Sequence, residues 1–180
     1  MRILKENTAG VLIDLQERLF PHIYENDQLL KNCIKLIEGF RMLEIPVIVS
    51  QQYSKGLGQT LPSITAKFAE FSFIEKSSFS CTDEPVFIDK LQNLNRKNLL
   101  LFGIETHVCV LQTAIDLLEK DFCPVIITDC VGSRNLYDKT IALERLKQEG
   151  ALVTTLESIL LELARYAGNE RFKTISALIK

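Results

Sequence analysis

The chain has 180 residues, 47% hydrophobic and 24% charged, which excludes a disordered or fibrous polymer and leaves enough apolar material for a sizeable core. Its formal net charge is -2, with Lys and Arg scattered along the chain, so composition argues against a nucleic-acid or anionic-membrane surface and for a small-molecule or protein partner. Five cysteines at irregular spacing include no CxxC pair, and two histidines do not furnish a zinc site of familiar spacing, so no disulfide framework is expected.

Short β-rich runs alternate with segments of helical period. Gly10-Val-Leu-Ile-Asp14 reads as a first strand, followed by a helix whose apolar face is Leu29, Cys33, Leu36, Ile37, Phe40 and Leu43. Val47-Ile-Val49 after Pro46 is a second buried strand, and Gln51 to Leu61, with Gly56 and Gly58, reads as an exposed, mobile loop. Phe71-Ser-Phe-Ile74 is a weak third strand ending near Lys76, and Pro85 to Leu94 is a short helix with proline at a tolerated position. Leu99 to Phe102 is the fourth strand, and Val108, Leu111, Ala114, Ile115 and Leu118 make the next apolar helix face. Pro124 to Thr128 is the fifth strand, Leu136 to Gln148 a helix and Ala151 to Thr154 the sixth strand. Two helices, Glu157 to Ala167 and Arg171 to Lys180, close the pattern and are separated at Gly168-Asn169.

Strands that are continuous apolar runs, alternating with helices, predict a mostly parallel sheet covered on both faces. The expected fold is α/β: a three-layer α/β/α sandwich on a six-stranded, Rossmann-like sheet, with residues 1–180 forming one domain. The segment from Met1 to Gly10 has no long apolar stretch, and no run reaches the length that spans a bilayer. The expected compartment is therefore a reducing cytoplasm.

In such sheets ligands bind outside the carboxyl ends of the strands. Three reactive side chains meet that condition: Asp14 after the first strand, Lys76 after the third and Cys109 after the fourth. A thiol in the first turn of a helix feels unpaired N–H groups and the positive end of the dipole, which favour thiolate. Each residue also has a plainer reading, since a free cysteine is often a small buried hydrophobe, an aspartate often caps a turn and a lysine is usually solvated. The convergence of a thiol, a carboxylate and a cation at one predicted mouth is the functional signal.

The stretches Leu12-Ile-Asp14-Leu-Gln16, Glu75-Lys76-Ser77-Ser78-Phe79-Ser80 and Gly103-Ile-Glu-Thr-His-Val-Cys109 resemble the isochorismatase-like cysteine hydrolases, over nearly the whole chain. That family includes nicotinamidases, N-carbamoylsarcosine amidohydrolase and the isochorismatase-domain proteins. The last subgroup is the nearest, through Gln51 to Gly58, Asp129 to Arg134 and Phe172-Lys-Thr-Ile. The resemblance implies a triad of Cys109 as nucleophile, Asp14 as base and Lys76 as the stabilising cation. It also implies a cis peptide at Ile104-Glu105 and an oxyanion hole from the backbone N–H groups of Glu105 and Cys109. Nicotinamidases place metal-binding histidines after the second strand, whereas this chain has Ser50-Gln51-Gln52-Tyr53, so no metal and no cofactor are expected. The cysteine also argues against vinyl-ether cleavage, and an amide-type or ester substrate fits better.

Gln16, Phe20, Tyr53, Phe79 and Glu105 neighbour the triad in sequence and are candidate pocket residues, with packing an equal alternative. His107 lies two residues before Cys109 and should point elsewhere, and His22 has no identifiable partner. Cys81 is close enough to Lys76 to act as a resolving thiol if the chain were a redox sensor, and a non-catalytic binding module is the other alternative. A homo-oligomer is implied by the resemblance, with Leu156, Ile159, Leu160, Leu163, Tyr166 and Ile175 of the last helices as its apolar faces.

Overall fold

The computed structural model of the chain describes residues 2–168 and 170–180. Six strands, β1 (Thr8–Ile13), β2 (Val47–Gln52), β3 (Ile74–Lys76), β4 (Asn98–Ile104), β5 (Cys123–Gly132) and β6 (Leu152–Thr154), form one sheet in the order β3-β2-β1-β4-β5-β6. Every pairing is parallel. Helices α1 (Asn26–Met42), α7 (Leu156–Ala164) and α8 (Glu170–Ile179) cover one face, and α4 (Pro85–Leu94), α5 (Leu111–Glu119) and α6 (Leu136–Glu149) the other. The short helices α2 (Ser54–Leu57) and α3 (Pro62–Thr65) lie beyond the end of β2. The fold is the expected three-layer α/β sandwich.

The unbroken apolar runs are explained by burial on both sides of the sheet. Leu12, Leu100, Phe102 and Ile104 face the α1 layer, while Val11, Ile13, Leu99 and Leu101 face the α4–α5 layer. Phe40 of α1 meets Phe102 edge to face at 5.9 Å, a favourable aromatic geometry. Gly39 of the same helix lies so close to Leu160 of α7 that an added Cβ would stand 2.6 Å from that side chain.

Several elements differ from the expectation. The strand expected at Phe71 to Ile74 begins only at Ile74, because β3 is an edge strand paired over three residues, and Phe71 instead stacks with Phe68 and Phe73. Strand β5 runs on past Thr128 to Gly132, with a register shift against β4 between Leu101 and Gly103. The loop from Gln51 to Leu61 is pinned rather than loose. Gln16 Nε2 donates to Gln52 O and Gly58 O, and Arg18 Nη1 donates to Lys55 O and Gly56 O.

At the C-terminus α7 ends at Ala164, and Gly168 has φ +103°; Asn169, the other residue of the expected break, lies outside the described residues, as does Met1. Leu156, Ile159, Leu160, Leu163 and Ile175 are all buried within the chain's own core, so these helices do not present the apolar faces expected for assembly. Their stripe is consumed by α1 and β5; Tyr166 alone of that set is exposed. Among the described residues no helix is long and apolar enough to cross a membrane.

Candidate active site

Parallel β1 and β4 lie at the centre of the sheet, and the strand order places β2 and then β3 beside them. The residues that leave these four strands at their carboxyl ends therefore gather in one place. Asp14 follows β1 with φ +51°, a left-handed turn that aspartate tolerates better than most residues. Its Oδ2 lies 2.7 Å from Lys76 Nζ, and both side chains are at most 1% exposed. Lys76 ends β3, one strand beyond β2.

The Lys76 ammonium faces Asp14 Oδ2 as an ion partner and has three hydrogen-bond acceptors for its three hydrogens. Besides Asp14 it reaches Gln52 Oε1 at 2.6 Å and the carbonyls of Ser78 and Phe79, both at 3.2 Å. Burial, the largest single influence, works against the charged form, but the combined effect of the surrounding groups, the Asp14 carboxylate first among them, holds Lys76 above its ordinary range. This is a fixed cation, not a proton donor at neutral pH.

Cys109 sits in a π-helical turn, Thr106–Val110, that precedes α5. The turn begins at Glu105, whose carbonyl accepts from the N–H groups of both Val108 and Val110, and the Ile104-Glu105 peptide is cis. Cys109 is 6% exposed. The helix terminus was expected to favour thiolate; instead burial first, then the Asp14 carboxylate, pushes the thiol well above its ordinary value of 9.0, with Lys76 pulling only partly the other way. The resting group is a neutral thiol beside an ion pair, and a base is needed to release its proton.

Ser50 and Gln52 of β2 complete the cluster, and neither was singled out from sequence. Ser50 Oγ donates to Asp14 Oδ1 at 2.8 Å, and Gln52 joins Lys76 to Gln16, whose Oε1 accepts from Gln52 N at 2.7 Å. Their signal was three consecutive polar residues closing an apolar strand run, next in register to Ile13 and Lys76. Cys81 belongs here too: its thiol donates to Ser50 Oγ at 3.6 Å and burial pushes it up to about 11.

The candidate pocket residues divide. Gln16 is fully buried, with its amide spent on the Gln52 and Gly58 backbone, and Phe20 packs into the core. Tyr53 and Phe79 are exposed beside the Lys76 strand end. The Glu105 carboxylate is turned to Arg134, accepting from its backbone N at 3.0 Å and its Nε at 3.1 Å. His107 Nδ1 pairs with Ser133 Oγ at 2.9 Å. Among the described residues no group of three or more His, Cys, Asp or Glu side chains is set to hold a metal ion.

The isochorismatase domain model matches residues 8–158. Isochorismatase family protein 1B of Dictyostelium discoideum is 36% identical over 183 aligned positions, covering 99% of this chain and 89% of that protein. A solved structure described as MAR1 ribonuclease from Caenorhabditis elegans is 37% identical with a TM-score of 0.93, covering 99% of this chain and 92% of its own. The YcaC gene product of Escherichia coli, described as an octameric hydrolase of unknown specificity, is 25% identical with a TM-score of 0.93 over 99% of this chain and 90% of its own. By these likenesses, which span almost the whole chain, it belongs to the isochorismatase family.

Proposed function

We propose that the protein is a metal-independent cysteine hydrolase that cleaves an amide-type C–N or ester bond of a small molecule through a thioester on Cys109. The observation that carries this reading is a buried thiol packed in the field of the 2.7 Å Asp14–Lys76 ion pair. The Cys109 hydrogen passes to Asp14 as sulfur bonds the substrate carbonyl carbon, and the backbone N–H groups of Glu105 and Cys109 receive the oxyanion. Collapse breaks the C–N or C–O bond, and Asp14 returns the proton to the departing amine or alcohol. Asp14 then takes a proton from the attacking water, the C–S bond breaks, and the proton goes back to sulfur. Lys76, 2.7 Å from Oδ2, is the counter-charge to the carboxylate before the first transfer.

A nicotinamidase-like metal does not suit the residues after β2. The stretch Ser50-Gln51-Gln52-Tyr53 carries no histidine, and Gln52 Oε1 is already committed to Lys76. The exposed aromatics Tyr53 and Phe79 flank the buried cluster and are the best placed to contact substrate, while Gln16 holds the Gln52 and Gly58 backbone in place from behind. A homo-oligomer belongs to the same reading, supported by the octameric Escherichia coli relative.

The test is an intact-mass time course with a panel of small amides and esters. Wild type should form an acyl adduct on Cys109 or turn its substrate over, and Cys109→Ala should lose at least about 1,000-fold in rate while keeping its circular dichroism. A folded Cys109→Ala protein that still hydrolyses the same substrate overturns the covalent route.

A further inference from the structure

Ser50 takes no part in the proton transfers just described, yet it is fully buried between the two strand ends that carry Asp14 and Lys76. Its Oγ lies 2.8 Å from Asp14 Oδ1 and 3.6 Å from the Cys81 sulfur. A hydroxyl has a single hydrogen. Since an ionised carboxylate only accepts, that hydrogen goes to Asp14, and Ser50 must accept from Cys81 in turn. The chain has one direction: Cys81 S–H to Ser50 O–H to Asp14. Asp14 Oδ2, by contrast, is buried with no directed hydrogen bond among the described residues, its near neighbour being the Lys76 ammonium.

We propose that Ser50 is a positioning residue acting through Asp14: by occupying Oδ1 it leaves Oδ2, beside Lys76, as the atom that takes the Cys109 proton. The inference rests on the proposed thiol chemistry of Cys109 and Asp14. A carboxylic acid protonated at Oδ2 still accepts at Oδ1, so the Ser50 bond persists through the cycle and nothing need reorganise when the proton moves. A hydrogen bond donated to a carboxylate in general favours its ionised form, the form that can take a thiol proton. Cys81 holds Ser50 from the far side, its backbone N–H anchored to Thr113 Oγ1 of α5 at 3.0 Å. Because burial pushes its thiol up to about 11, Cys81 stays protonated and donating at neutral pH and below. The groups facing Asp14 are Lys76 from β3, Ser50 from β2, Cys81 from the turn after β3 and Cys109 from the π-helical turn.

The experiment follows alkylation of Cys109 by iodoacetamide across the acid and neutral range, quantified by peptide mass mapping so that Cys81 is counted separately. In that reaction sulfur bonds the acetamide carbon, iodide leaves and the thiol hydrogen goes to Asp14, so no natural substrate is needed. Ser50→Ala should move the acid-side midpoint of Cys109 alkylation up by about one pH unit, and Ser50→Thr, which keeps the hydroxyl, should restore it. Circular dichroism establishes that each variant is folded. An unmoved midpoint in folded Ser50→Ala, or a failure of Ser50→Thr to restore it, overturns the positioning role while leaving the proposed hydrolase intact. If Asp14→Asn leaves both the rate and the profile of Cys109 alkylation unchanged, the Asp14 base itself is overturned, and the role of Ser50 with it.

Discussion

Cys81 and Cys109 are held as neutral thiols for the same reasons in the same order: burial disfavours the thiolate most, the Asp14 carboxylate adds to it, and Lys76 only partly compensates. Both groups therefore have raised values in the folded protein, and the stability they lend is fully present below the ordinary thiol value of 9.0. Above that pH the unfolded chain releases protons that the folded chain retains, so unfolding becomes easier at about 1.4 kcal/mol per pH unit for each thiol. For Cys81 the loss is complete once pH passes about 11. Lys76, also raised, adds a loss of the same sign that begins only above 10.5. Urea denaturation from neutral to alkaline pH should show this decline, and Cys81→Ala should remove about one thiol's share of the slope. An equal slope in wild type and Cys81→Ala contradicts the burial argument.

The turn that carries Cys109 depends on Gly103, which lies in β4 at φ +117° with its backbone against β1. A Cβ there would stand 2.1 Å from the Ile13 carbonyl oxygen, and backbone cannot move aside as a flexible side chain can. Gly103→Ala should therefore cost more than about 3 kcal/mol in urea denaturation. A nearly neutral Gly103→Ala would mean that the β1–β4 approach is looser than the structure has it. Much of this element logic was legible beforehand. The runs Val11-Leu-Ile13 and Leu99-Leu-Leu-Phe102 announced strands buried on both faces, and the residues just past them were Asp14 and, after the turn, Cys109. The short edge strand β3 was less so, since Phe71 and Phe73 carry strand propensity but spend their rings on Phe68 and each other. Ser50 and Gln52 escaped notice because their roles arise from register: Ser50 pairs with Ile13 and Gln52 with Lys76 across strands that lie far apart in sequence.

Over the whole molecule, apolar surface is distributed differently from the sequence expectation. The stripe of α7 and Ile175 of α8, which read as spare, is buried against α1 and β5. The surplus lies instead on the opposite layer and at the sheet edge. Leu136, Tyr137 and Ile141 of α6 are exposed, Tyr137 by 71%, and Leu152 and Val153 line the edge strand β6. Tyr137 and Ile141 are one helical turn apart on a single face, and they share a shallow cleft with His107 and Leu111 of the segment that carries Cys109. A second copy of the chain docked on this face would bury the exposed apolar groups and approach the turn that carries Cys109, which accords with the homo-oligomer proposed above. Light scattering should then give a mass that is a multiple of the monomer's for wild type, and a lower one for the Tyr137→Glu/Ile141→Glu double variant, because each substitution places a charge where the partner must exclude water. Both positions are on the surface of the monomer, so its circular dichroism should not change. A monomeric wild type removes the need for any partner, and an undiminished oligomer in the folded double variant moves the interface away from α6.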